Sequence, residues 1–233
     1  FPDNAADCTE EEAIEAFVGQ HYLAHAMPAR IVLSHEPGEG AIGGAALAGA
    51  GRTRISVPRG ETERAWVDMA LRNAELAIQA RMSDEHRSGE RTGALQRALR
   101  LPEAPQRIEC FDVSHTAGES AVAACVVWAG GRLQGSQYRR YNVSEIHPGD
   151  DYAALRQTVT RRYEKVAAGD GVRPDLVLVD GGKGQVSIVR QALSELGLGD
   201  LPAVGVAKGE GRRPGLESLL IPGVEEPLRM HAA

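Results

Sequence analysis

Leu176-Val177-Leu178-Val179-Asp180-Gly181-Gly182-Lys183-Gly184-Gln185 is the stretch that decides the fold. A short, unbroken apolar run predicts a strand buried on both faces. Asp180 and the glycines end it, and Val186, Val189, Leu193 and Leu196 then recur at helical spacing until Gly197. Residues 203–207 (AVGVA) supply another apolar strand. Strand, helix and strand in that order make a crossover unit, the building block of a parallel sheet.

The text upstream has a different rhythm. Runs IECFDVSH, SAVAACVVWA and RLQGSQYRRYNV are separated by turns at Ala117-Gly118 and Gly130-Gly131, which predicts three antiparallel strands in a meander. Asp150 and Asp151 are placed to cap a helix presenting Leu155, Val159, Tyr163 and Val166 before Gly169. Residues 106–233 therefore run β-β-β-α-β-α-β, an α/β fold with a mixed sheet: an antiparallel meander continued by parallel strands, with helices on its faces.

Residues 1–105 form a smaller α/β region. Thr9-Glu10-Glu11-Glu12 is a capping box opening a helix whose apolar positions Ile14, Phe17, Val18 and Tyr22 keep helical spacing until Pro28 stops it. Residues 30–34 and 53–57 are expected as strands, residues 40–50 as a small-residue helix or loop, and residues 61–82 as a helix with Val67, Leu71, Ala74 and Ile78 on one face. The polar stretch 83–92 (SDEHRSGERT) is the linker candidate, followed by a short helix to Arg100.

The 233 residues are 42% apolar and 25% charged, a globular composition, and the apolar runs fall short of the roughly 20 residues a membrane span requires. Cys8, Cys110 and Cys125 have no close partner in sequence, which indicates a reducing cytoplasm. Cys110 and Cys125 are expected to be buried, and Cys8 to be a surface thiol unless residues upstream pair with it or share a metal. The chain begins at Phe1 rather than Met, as expected of a piece of something longer. Its net charge of -6 is unevenly spread. Residues 1–105 carry 16 acids and 11 bases, residues 106–233 carry 16 acids and 15 bases, and the second part holds all three lysines, Lys165, Lys183 and Lys208.

Asp112 interrupts an apolar strand and Asp180 ends another, in strands that a mixed sheet can place side by side. An acid embedded in a strand is costly unless paired, hydrogen-bonded or bound to a cation, and two converging carboxylates invite a divalent metal. The plainer alternative has Asp180 capping the next helix and Asp112 accepting backbone hydrogen bonds. Lys183, in a glycine loop opening a helix, suits a phosphate, although GxxxxGK[ST] is not satisfied. Lys208, Arg212 and Arg213 extend that rim. Arg139, Arg140, Arg161 and Arg162 fit either phosphate contacts or solvated faces, and Tyr138 and Tyr141 flank the first pair.

The stretches IECFDVSHTAGESAVAACVVW, YRRYN, PGDDYAALRQTVTRRY, PDLVLVDGGKGQ and GVAKGEGRRPGLE, in this order, resemble the endonuclease region of the UvrC family of bacterial nucleotide excision repair. FVGQHYL and RISVPRGETERAWVDMALRNAELA are similar to that family's middle region. The resemblance implies a ribonuclease H-like fold and Mg²⁺- or Mn²⁺-dependent hydrolysis of a DNA phosphodiester, the incision 5′ of a lesion. It implies Asp112 and Asp180 as catalytic metal ligands and Asp151 as a third acid associated with activity, with damaged double-stranded DNA and UvrB as partners.

The family's catalytic histidine lies in a DExHR-like segment not found up to Ala233. His231 lacks the acidic neighbours of that motif, and His115 points opposite to Asp112 and Ser114 on an alternating strand, which also rules out a Ser114-His115 nucleophile. The chain by itself is therefore expected to be inactive or feeble. Other classes remain open: a non-catalytic scaffold, or a nucleotide-binding enzyme on a mostly parallel sheet.

Overall fold

The computed structural model describes residues 9–36, 53–114, 122–143, 146–147, 149–208 and 217–229. Its chain divides into two units, residues 1–82 and 83–233.

In the first unit, α1 (Glu10–Ala24) begins at the expected capping box: the Glu12 N–H donates to Thr9 Oγ1 at 3.2 Å and the Thr9 N–H donates to Glu12 Oε2 at 2.8 Å. Strands β1 (Arg30–Val32) and β2 (Arg54–Ser56) pair in parallel. Arg30 forms an ion pair with Glu63. Residues 40–50 and Cys8 lie outside the described residues.

The expected linker at 83–92 is instead helical. Helix α2 runs without a break from Glu61 to Leu99. Its polar stretch carries pairs at helical spacing, Asp84 with Arg87 and His86 with Glu90 at 3.4 Å, and a lone Gly89 costs only about 1 kcal/mol. Polarity marked exposure here rather than a break. Leu95 and Leu99 pack on a sheet face with Ile108, Leu178 and Val206, so this end of the helix belongs with the second unit.

The second unit is built on one mixed sheet. Its strands are β3 (Arg107–Ser114), β4 (Val122–Ala129), β5 (Arg132–Leu133), β6 (Arg139–Asn142), β7 (Leu176–Asp180), β8 (Ala203–Ala207), β9 (Ser218–Leu220) and β10 (Leu228–Arg229). Their order is β10-β9-β8-β7-β3-β4-β5, with β6 also on β4. The predicted meander is present: β4 runs antiparallel to β3, β5 and β6. The tight turn between β4 and β5 rests on Gly130 and Gly131, both at positive φ, the hairpin geometry that glycine supplies without strain. Parallel pairing of β3 with β7 and of β7 with β8 completes the expected arrangement. Strands β9 and β10 are additions to the expected order. A mostly parallel sheet, which the nucleotide-binding alternative requires, is not what forms.

Alternation sorts the side chains. Phe111, Cys125, Val127, Val177 and Val179 face the helices α3 (Asp151–Ala167) and α4 (Lys183–Glu195), packing on Leu155, Val159, Tyr163, Val186 and Val189. Burying each such side chain contributes about 1.5–3 kcal/mol. Asp175 ties the strand starts together, its Oδ2 accepting from the N–H groups of Gln106 and Arg107 at 2.8 Å each.

Candidate active site

The site lies where β3 and β7 end. The register pairs Cys110 with Leu178 and Phe111 with Val179, so the next step sets Asp112 against Asp180. The two carboxylates thus leave the same face of neighbouring strands, roughly 4.8 Å apart in the backbone. Cys110, two residues before Asp112, shares that face. Burial, and then the charges of Asp180 and Asp112, push its thiol up to about 11. Both acids are therefore close enough to Cys110 to act on it through space.

Each acid has a partner. Ser114 Oγ donates to Asp112 Oδ2 at 3.2 Å, as the alternation of a strand allows. Lys208 Nζ lies 3.0 Å from Asp180 Oδ2. Val206 pairs with Asp180 across β7 and β8, and Lys208 is two residues beyond it, so parity brings the lysine onto the acid's face. The sequence placed Lys208 on a phosphate rim. What it missed is this ion pair, for which the signal was a lysine immediately after a strand beside an acid-ended one.

The remaining candidates separate by face. Arg140 pairs with Ala124, and Ala124 with Asp112, so Arg140, Ala124, Asp112, Asp180 and Val206 form one row across the sheet on one face. Arg139 belongs to the opposite face and donates to the carbonyls of Ser136 and Tyr138 at 3.1 and 2.8 Å. Lys183 donates to the Glu225 carbonyl at 3.1 Å. Arg212, Arg213, His115 and His231 lie outside the described residues.

Asp150 is the N-cap of α3, accepting from the Ala153 N–H at 2.9 Å, and Asp151 is the first helical residue. Among the described residues no three His, Cys, Asp or Glu side chains gather as a metal-ligand set, so Asp151 does not form one with Asp112 and Asp180.

Side chains crowd part of the glycine loop. A Cβ on Gly181 would overlap the Gln185 side chain, whose Oε1 accepts from the Gly182 N–H at 3.0 Å. A Cβ on Gly184 would come 2.6 Å from the Tyr152 hydroxyl, and one on Gly205 2.9 Å from the Gly181 carbonyl. Backbone packing of β8 against this loop thus accounts for Gly205, whereas Gly181 and Gly184 meet only the side chains of Gln185 and Tyr152 and Gly182 has open space around it.

Arg162 is likewise structural. With Arg107 and the Tyr163 hydroxyl it surrounds Glu109, a fully buried carboxylate on the helix-covered face that sequence reading passed over. Arg161 lies over the Tyr141 ring, 6.0 Å from its centroid.

The two acid-bearing strand ends offer hard oxygen donors, the chemistry suited to Mg²⁺ or Mn²⁺, and an ammonium already stands on one of them. The residues present therefore fit a divalent ion.

An antiparallel meander running into parallel crossover strands, with acids at the ends of the adjacent strands β3 and β7, defines a domain of the ribonuclease H-like class. The chain belongs to the UvrC family: residues 96–233 match the UvrC RNAse H endonuclease domain, and residues 1–81 match the UvrC Ribonuclease H-like domain. It is 52% identical to UvrABC system protein C of Dechloromonas aromatica, over 99% of this chain and 39% of the relative, and 48% identical to that of Methylobacillus flagellatus over the same shares. The chain thus spans about two fifths of the length of these relatives. Among solved structures, human ENDOV aligns at 27% identity over 47% of this chain and 49% of that one, with a TM-score of 0.35. At that level of superposition the likeness decides nothing.

Among the described residues no helix is long and apolar enough to cross a membrane.

Proposed function

We propose that this chain carries the phosphodiester-cleaving site of a bacterial DNA-repair endonuclease, the one that makes the 5′ incision in nucleotide excision repair. The observation that carries the reading is the placement of Asp112 and Asp180 on one face of adjacent strands, in a chain of the UvrC family. These two carboxylates would hold a Mg²⁺ or Mn²⁺ ion, which supplies polarisation of a phosphate oxygen and a lowered pKa for water. Ser114 orients Asp112, and Lys208 balances the charge of Asp180.

Arg140 stands in the same row and is the best placed of the arginines to meet the DNA backbone. Lys183, Lys208, Arg212 and Arg213 complete the proposed DNA-contacting set, with Arg139 set apart on the opposite face, and Asp151 at the start of α3 is the third acid. Damaged duplex DNA presented by UvrB, in the cytoplasm, is the proposed setting. Two carboxylates without a third ligand among the described residues support the further reading that the 233-residue chain alone is inactive or feeble.

The test is incision of a lesion-bearing duplex by the complete protein with UvrB. Asp112→Asn and Asp180→Asn are each expected to reduce 5′ incision at least about 100-fold while DNA binding persists, as for loss of a group acting on the reacting phosphate. Near-normal 5′ incision in either variant refutes the assignment, and robust Mn²⁺-dependent nicking by the 233-residue chain refutes the expectation of feeble activity.

A further inference from the structure

We propose that Lys208 is a displaceable place-holder cation, a positioning residue that occupies the Asp180 side of the carboxylate pair until a divalent ion takes it. The inference rests on the reading of Asp112 and Asp180 as metal ligands. Two carboxylates side by side on one sheet face repel each other, and a fold that presents them without a metal needs a counter-charge. Lys208 Nζ supplies it at 3.0 Å from Asp180 Oδ2. The contact follows from parity along β8, since Val206 is the register partner of Asp180 and Lys208 is the next residue on that face.

The residue type suits displacement. Lys208 reaches Asp180 through a flexible stem and a single ammonium, and its side chain is 59% exposed against 30% for Asp180. Such a half-solvated pair is held weakly and exchanges readily. An arginine would grip the carboxylate with two parallel N–H groups and release it less easily. Once released, the ammonium stays on the site face, where its charge favours an incoming phosphodiester.

Three variants of the 233-residue chain test this by calorimetric titration with MnCl₂ and by the rise in Tm that Mn²⁺ produces. Lys208→Met removes the competitor and is expected to bind Mn²⁺ about fivefold more tightly than the parent, the scale of one partly exposed ion pair, with a larger Tm rise. Lys208→Arg keeps the charge with a firmer grip and is expected to bind more weakly than the parent. Unchanged or weaker binding by Lys208→Met, or tighter binding by Lys208→Arg, overturns the place-holder role alone. Parent-level Mn²⁺ binding by Asp180→Asn, or no binding by parent and Lys208→Met alike, overturns the metal reading and the place-holder role with it.

Discussion

Arg162 Nη2 lies 2.5 Å from Glu109 Oε1, and the Glu109 side chain is wholly removed from solvent. Arg107 holds the same oxygen at 2.8 Å, and Tyr163 donates to the other at 3.0 Å. The strand that carries Asp112 is thus anchored through its opposite face by two guanidinium groups and a phenol, joining β3 to α3. The Tyr163 hydroxyl is held neutral far above its ordinary range by burial and by the charge of Glu109.

Removing Glu109 takes the shared carboxylate from two guanidinium groups and the Tyr163 hydroxyl, leaving Arg107 only Gln137 and Arg162 only the Val172 carbonyl. Glu109→Ala is expected to cost about 3–5 kcal/mol, the range for breaking a buried ion pair from one side. Urea unfolding of the chain measures it. A loss under 1 kcal/mol would show that the cluster is not holding β3 to α3.

The thiols give the chain a pH dependence of known sign. Burial first, then neighbouring acids, push Cys110 from its ordinary 9.0 to about 11 and Cys125 from 9.0 to about 12. Above about pH 9 the unfolded chain releases these protons while the folded chain keeps them, so their contribution to stability is intact below that pH and declines as pH rises toward 11. The urea midpoint is expected to fall between pH 8 and 10.5, less steeply in Cys110→Ala. Peptide mapping after alkylation at pH 8 should find both residues unmodified until the protein unfolds.

Gly205 and Gly184 make a matched pair. An added methyl at 205 meets the Gly181 carbonyl and the Val186 methyl, at 2.9 and 2.7 Å, and neither neighbour is free to leave. Gly205→Ala is expected to cost about 1–3 kcal/mol by overpacking. At 184 the obstacle is the end of the half-exposed Tyr152 side chain, and alanine in a helix regains up to about 1 kcal/mol. Gly184→Ala should therefore be close to neutral in thermal unfolding, and an equal loss at both positions would contradict this account.

Arg139 and Arg140 are adjacent in sequence and opposite in face. Arg140→Ala is expected to weaken DNA binding by the complete protein and lower the slope of log affinity against log salt by about 1, the loss of one phosphate contact. Arg139→Ala should change it less. Anisotropy titrations over a salt series distinguish the two, and equal effects would show that the sheet face does not select the contact.

Much of the second unit was legible in the order of residues. Apolar runs cut by glycine gave β3, β4, β7 and β8 and their partners, because a buried strand needs continuous apolar text and a tight turn needs positive φ. The polar stretch 83–92 misled, because helix propensity tolerates charge and one glycine, and only the packing of Leu95 and Leu99 shows where that helix belongs. Strands as short as Leu228–Arg229 carry no periodicity to read.

At the site, sequence alone determined that Asp112 and Asp180 were acids in apolar strands, anomalous enough to require a cation or a polar partner. Tertiary structure decided everything that depends on register and parity. It set Asp112 beside Asp180, brought Lys208 to Asp180, gave Arg140 but not Arg139 to the site face, and turned Arg162 inward to Glu109. The physical reason is that side chains alternate along every strand, while the residues that meet across strands and helices lie tens of positions apart, and only the folded chain fixes which of them come into contact.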